Sequence, residues 1–214
     1  MADRAALYVD GFNLYHAIDD LHQNHLKWLN LWKLGELLIP SQSEVLVKVV
    51  YCTAIRSDDP QKMIRHRTYI RALEAVGVTC LKGHFSKEER SCRQCFARWQ
   101  APVEKQGDVN LAITLIDDAH TGVFDHAYLI TADSDQAATV RLLCERFPTK
   151  QLTTVSPPGR THCKEILAYT PRKIALNVAH LARSLFPKHV IVDGRLIVSR
   201  DPAYDPPAGP PDRL

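Results

Sequence analysis

Four aspartates in this chain are spaced so that a β-sheet would gather them at one end. Asp10 closes the apolar run Ala6-Leu7-Tyr8-Val9, within Tyr8-Val9-Asp10-Gly11-Phe12-Asn13. Asp133 and Asp135 follow the run Ala127 to Thr131, within Thr131-Ala132-Asp133-Ser134-Asp135. Gly11 permits a tight turn after Asp10, and Asn13 lies near enough to share a site. Asp108 opens a segment in which Leu111, Ala112, Leu115, Ile116 and Ala119 recur at helical spacing, which sets it at a helix N-terminus on the edge of the buried face. Asp117 is about half a turn out of phase with Asp108 and points elsewhere. Carboxylates brought together repel one another unless a cation neutralises them, and an all-oxygen site suits Mg²⁺ or Mn²⁺. Such an ion activates water and neutralises the leaving oxygen of an in-line displacement, which describes phosphodiester hydrolysis. Each acid also has a structural use: Asp10 as a turn former, Asp108 as an N-cap, and Asp133 and Asp135 as caps of the helix that follows.

The elements that must position these acids alternate. Ala6 to Val9, Glu44 to Cys52, Val76 to Leu81, Ala127 to Thr131 and Gln151 to Val155 read as five strands. Helix-periodic stretches lie between them: Leu14 to Asn24 with Leu31 to Leu38, Gln61 to Ala75, Asp108 to His120 and Gln136 to Phe147. This alternation calls for right-handed crossovers and an α/β fold, a three-layer α/β/α sandwich around a mostly parallel five-stranded sheet. With strand order 3-2-1-4-5 the first and fourth strands adjoin at the switch point, where open α/β sheets bind ligands. Gly83 to Gln100 interrupts the pattern and is expected as an inserted basic hairpin. Arg172 to Phe186 has a helical pattern, and Asp193-Gly194 between two apolar runs signals a type I′ hairpin. The expected division is a main domain over residues 1–187 with its insert at 83–100, a C-terminal β-hairpin at 188–204, and a Pro-rich disordered tail at 205–214.

The chain has 214 residues, 45% of them apolar and 24% charged, so a folded globular core is expected. Lys and Arg number 27 against 24 Asp and Glu, so any electrostatic footprint for nucleic acid must be local. Lys82, His84, Lys87, Arg90, Arg93, Arg98 and Lys105 gather with Phe85, Phe96 and Trp99 around the insert. That is the composition of a surface for single-stranded RNA, and equally of a solvated loop with a small local core. Lys105, just ahead of Asp108, is the leading phosphate contact, with Arg93 and Arg98 further along the insert and Arg160 after the fifth strand. Cys92-Arg93-Gln94-Cys95 is half of a zinc ribbon, and Cys80 and His84 are the nearest candidates to complete it. A reduced thiol pair, or a zinc shared across a homodimer, would use the same two residues. His16, His22, His25 and His66 fall on expected helices and receive no role. The start of the chain lacks a signal pattern, and no stretch approaches the roughly 18 apolar residues of a membrane helix, so a cytoplasmic protein is expected.

Three blocks, taken in order, resemble the signature of the NYN domain, a family of PIN-like ribonucleases. They are Tyr8-Val9-Asp10-Gly11-Phe12-Asn13, Glu104-Lys105-Gln106-Gly107-Asp108-Val109-Asn110-Leu111 and Ile130-Thr131-Ala132-Asp133-Ser134-Asp135. The resemblance implies a PIN-like sandwich and an endoribonuclease dependent on Mg²⁺ or Mn²⁺. It places Asp10, Asp108, Asp133 and Asp135 at the metal-binding acids and Asn13 at the site asparagine. Thr131 and Ser134 fall where hydroxyls hold water or phosphate. Thr131-Ala132 stands where a Ser-Gly pair is common in the family, a departure that bears on substrate geometry. Some members serve as non-catalytic RNA-binding modules, which is the alternative function. Asp133-Ser134-Asp135 also has the Asp-x-Asp form of a haloacid-dehalogenase-like phosphatase, but there the motif follows the first strand and here the fourth.

Overall fold

Ala5 to Val9 are buried on both faces, as a central strand must be when helices cover a sheet on two sides. The computed structural model describes residues 2–40, 42–55 and 59–207. Its chain runs β1 (Asp3–Asp10), α1 (Gly11–Asp19), α2 (Leu31–Leu38), β2 (Glu44–Ala54), α3 (Pro60–Ala75), β3 (Thr79–Ser91), β4 (Arg98–Lys105), α4 (Gly107–His120), β5 (His126–Ile130) and α5 (Ala137–Arg146). It continues through β6 (Gln151–Ser156), α6 (Lys164–Leu167), β7 (Lys173–Ala175), α7 (Val178–Arg183), β8 (His189–Val192) and β9 (Arg195–Ser199).

Seven strands form the main sheet in the order β4-β3-β2-β1-β5-β6-β7, all parallel except β4. The five expected strands keep their order at its centre, and the two additions lie at its edges. The insert forms the outer part of an antiparallel hairpin that continues the sheet. β3 starts at Thr79, after a turn in which Gly77 takes φ +91°, and runs to Ser91. The chain then folds back antiparallel as β4, so the two strands make a ribbon rooted in the sheet. At the other edge the helix expected over Arg172 to Phe186 is divided. Lys173–Ala175 pairs with β6, and α7 begins only where Asn177 caps it, accepting from His180 N while His180 Nδ1 accepts from Asn177 N. Likewise α1 ends at Asp19, and a left-handed His22 leads into a 3₁₀ turn at Asn24–Lys27.

Side-chain alternation along β1 builds two cores. Leu7 and Val9 face Leu14 and Ile18 of α1, Leu31 and Leu34 of α2 and Leu73 of α3. Ala6 and Tyr8 face Leu111 and Leu115 of α4, Val140 and Leu143 of α5 and Ile166 of α6. The second core contains an ionic group that sequence periodicity passes over: Asp118, 4% exposed, accepts from Tyr8 Oη and Lys48 Nζ, each at 2.8 Å.

At the amino ends of the parallel strands, Glu44 binds His126 Nδ1 at 3.0 Å and Tyr128 Oη at 3.0 Å, and His126 Nε2 reaches Thr153 Oγ1 at 2.9 Å. The β8–β9 hairpin lies against α3, with Val190 and Val198 in the first core, and Asp193 and Gly194 take the positive φ of 49° and 75° that a type I′ turn requires. Asp205, expected in the tail, pairs with Arg200 at 2.8 Å. The remainder of that tail, 208–214, lies outside the described residues. Among the described residues no helix is long and apolar enough to cross a membrane.

Candidate metal centre

Parallel pairing of β1 with β5, with Val9 opposite Ile130, brings the carboxyl ends of the two strands side by side. Asp10 is 7% exposed and caps α1, Oδ1 accepting from Asn13 N at 3.0 Å. Its Oδ2 accepts from Thr131 Oγ1 at 2.9 Å, and the same hydroxyl accepts from Asp133 N at 3.1 Å. Asn13 Oδ1 accepts from Ala132 N at 3.1 Å and closes the web between the two strand ends. Asp108 arrives from the first turn of α4, and its carbonyl accepts from Gln136 Nε2 at 3.2 Å.

Asp10, Asp108 and Asp133 each present a carboxylate oxygen such that all three lie within 4.8 Å of one another. Burial pushes the Asp10 carboxyl up to about 6, against the hydrogen bonds from Asn13 and Thr131, and the charges of Asp108 and Asp133 add to the rise. Asp108 is also raised, first by burial and then by Asp133, with Asp135 adding its charge. The set is therefore short of positive charge. Three hard oxygen donors at this spacing fit a divalent cation such as Mg²⁺ or Mn²⁺, since a cation removes the repulsion that raises them.

The other expected residues are distributed less evenly. Asp135 and Ser134 are exposed, and Asp135 stands outside the group of three, its N–H donating to Asp133 Oδ1 at 3.0 Å. Thr131 is fully buried, with its hydroxyl committed between Asp10 and Asp133. Lys105 extends along the ribbon to Glu88 at 2.6 Å, and Arg98 pairs with Glu89 at 3.1 Å. Arg93 is exposed in the turn at the ribbon tip. None of these three lines the acidic cavity, whose volume is about 220 Å³. Arg160 does line it, and pairs with Asp20.

Glu104 was not anticipated in the site. It lines the cavity, Oε1 accepting from Gly107 N at 2.9 Å at the start of α4, and its carboxyl is raised by burial and by Asp108. Its signal lay in strand alternation: in β4, Glu104 and Lys105 must point to opposite faces, and only one can look into the site.

The four-ligand zinc site is not assembled. Cys92 and Cys95 sit at the ribbon tip, whereas Cys80 lies at the root of β3, about 40 Å of extended strand away. Burial pushes the Cys80 thiol up to about 12, and His84 Nδ1 pairs with Gln106 Oε1 at 3.2 Å. Cys92 is lowered instead, by backbone N–H groups of Cys95 and Gln94.

A crystal structure of a Vibrio parahaemolyticus protein of unknown function has a similar fold, with a TM-score of 0.54 at 18% identity, covering 86% of this chain and 97% of that one. A curated Pseudomonas putida protein, 6-hydroxy-3-succinoylpyridine 3-monooxygenase HspA, is 27% identical over 176 residues, which cover 65% of this chain and 55% of HspA. The chain thus spans about half the length of that relative. The NYN domain model matches residues 4–161, a stretch that takes in all four aspartates. By that match, the chain belongs to the NYN domain family.

Proposed function

We propose that this protein is a PIN-like endoribonuclease that hydrolyses RNA phosphodiester bonds at the acidic cluster. The observation that carries the reading is the convergence of Asp10, Asp108 and Asp133 within 4.8 Å, with Asp10 held above the ordinary carboxylate range. Mg²⁺ or Mn²⁺ bound by these three would supply an activated water and charge neutralisation at the phosphate. Thr131 and Asn13 hold the ligands in place, as hydrogen-bonded partners of metal ligands do elsewhere. Asp135 and Glu104 stand beside the cluster, where each could accept a hydrogen bond from an attacking water. Arg160 reaches the cavity wall and is placed to meet a phosphate oxygen. The ribbon carries Arg93 and Arg98 outward as contacts for flanking phosphates. Family membership and the convergence of Asp10, Asp108 and Asp133 both support this reading.

The test is incubation of the purified protein with Mn²⁺ or Mg²⁺ and a panel of single-stranded and structured RNAs. Cleavage by the wild type, abolished in Asp10→Asn and Asp133→Asn while RNA binding persists, is the expected result. Salt-dependent binding that ignores chelators, with no cleavage of any RNA, would identify a non-catalytic RNA-binding module instead.

A further inference from the structure

A second and larger cavity, of about 590 Å³, adjoins the acidic one and shares Phe12, His16, Thr53 and Glu104 with it. It lies between α1, α3 and the β3–β4 ribbon, and its volume is in the range of small-ligand sites. Rings make up much of its wall, beside aliphatic and charged side chains that include Asp19 and Lys27, whose Nζ lies 5.1 Å from the Tyr15 ring centroid. Phe12 and Tyr15 are 45% and 38% exposed although both are large and aromatic, and Phe85 reaches in from the ribbon with its centroid 6.5 Å from that of Phe12. His16 stands between Phe12 and Tyr15, at 4.4 and 5.5 Å. Further in are Thr53 and His66, joined Oγ1 to Nε2 at 3.1 Å, while Lys62 and Arg90 contribute cationic side chains to the lining. Burial lowers the His66 imidazole to about 4, so near pH 7 it is neutral, with Nε2 already engaged by Thr53.

We propose that this cavity seats one unpaired nucleobase of the RNA, stacked against Phe12, Tyr15 and Phe85 with its edge toward Thr53 and His66. The inference rests on the ribonuclease reading and adds a base subsite to it, built by α1, α3 and the ribbon beside the acidic cluster. Two features select a nucleotide over a free aromatic molecule. The cavity adjoins the acidic one across Phe12, His16, Thr53 and Glu104, so a ligand reaching both needs a planar ring joined to a phosphate. Lys62 and Arg90 suit a polyanionic strand passing across it. Stacking among open rings accepts any base, while a neutral imidazole beside a hydroxyl can discriminate between base edges. A base held in a duplex cannot enter.

The test uses a short single-stranded RNA carrying one 2-aminopurine, whose fluorescence falls when it stacks. The RNA is titrated with Asp10→Asn protein, which leaves it uncut, and with the same protein carrying Tyr15→Ala or Phe85→Ala. Quenching is expected in the parent, and each added substitution is expected to weaken binding roughly five- to hundred-fold, the range of a lost base–aromatic stack. A duplex burying the reporter base should show no quenching. Mn²⁺ affinity of Tyr15→Ala and Phe85→Ala in the otherwise wild-type protein should be unchanged, which separates loss of the cavity from loss of the fold. RNA bound and cleaved with no sensitivity to either substitution would overturn the nucleobase site and leave the ribonuclease standing. RNA neither bound nor cleaved would overturn both. A hydroxypyridine binding in the cavity of a protein that ignores RNA would replace the nucleobase with a free aromatic ligand.

Discussion

Thr131 links two acids with a single hydroxyl, donating to Asp10 Oδ2 at 2.9 Å and accepting from Asp133 N at 3.1 Å. Because Thr131 is fully buried, Thr131→Val keeps the shape of the site and removes both hydrogen bonds. Mn²⁺ affinity measured by calorimetry should fall by about 10- to 100-fold, as when other partners of metal ligands are removed, with the fold retained. Thr131→Ser should restore it. Equal affinity in the valine variant would reduce Thr131 to a packing residue.

Asp10 holds its proton more tightly in the folded protein, at about 6, than in the unfolded chain, at 3.8. Stability contributed by that proton is present below pH 3.8 and is lost as pH rises toward 6. Metal-free Asp10→Asn should therefore be more stable than the wild type at pH 7, by about 1–3 kcal/mol. The advantage should vanish near pH 4 and reverse when Mn²⁺ is added, since the ion stabilises only the protein that binds it. Chemical denaturation at three pH values, with and without Mn²⁺, checks the sign.

His66 has the opposite linkage. Burial lowers it from 6.5 to about 4, so the unfolded chain takes up the proton first as the solution is acidified. Stability is intact above pH 6.5 and is lost as pH falls toward 4. In His66→Gln about 2 kcal/mol of that acid-dependent loss should disappear. Matching stability–pH curves for the two proteins across this window would contradict the assignment.

Asp118 satisfies both Tyr8 and Lys48 inside the second core. Asp118→Ala leaves a phenol and an ammonium without their acceptor and should cost about 3 kcal/mol of unfolding free energy. Asp117→Ala, one residue away, should change little. Comparable losses in the two variants would show that the helix, and not the buried pair, sets the effect.

What the sequence made legible was whatever depends on period and position. The stripe from Leu111 to Ala119 announced α4, and strand-end placement announced Asp10 and Asp133 as neighbours before any register was known. The ribbon was harder. Lys87 to Arg90 is polar throughout, so an edge strand with two solvated faces leaves no apolar alternation to read. Lys105 is near Asp108 in sequence, but the two-residue alternation of β4 turns its side chain toward Glu88. Gly11 was read as a turn residue, but its constraint is contact: a Cβ there would lie 2.4 Å from Cys52 O and 2.5 Å from the Tyr51 ring. Only the pairing of β2 with β1 reveals it.

Asp108 differs from its two partners in what holds it. Asp10 and Asp133 follow adjacent parallel strands, whereas α4 springs from the root of the antiparallel ribbon through Gln106, left-handed at φ 76°, and the Glu104–Gly107 bond. A cation gripping all three acids is thus a tie bar between the centre of the sheet and the arm that projects from its edge. Loading a metal there would brace the ribbon in the same event.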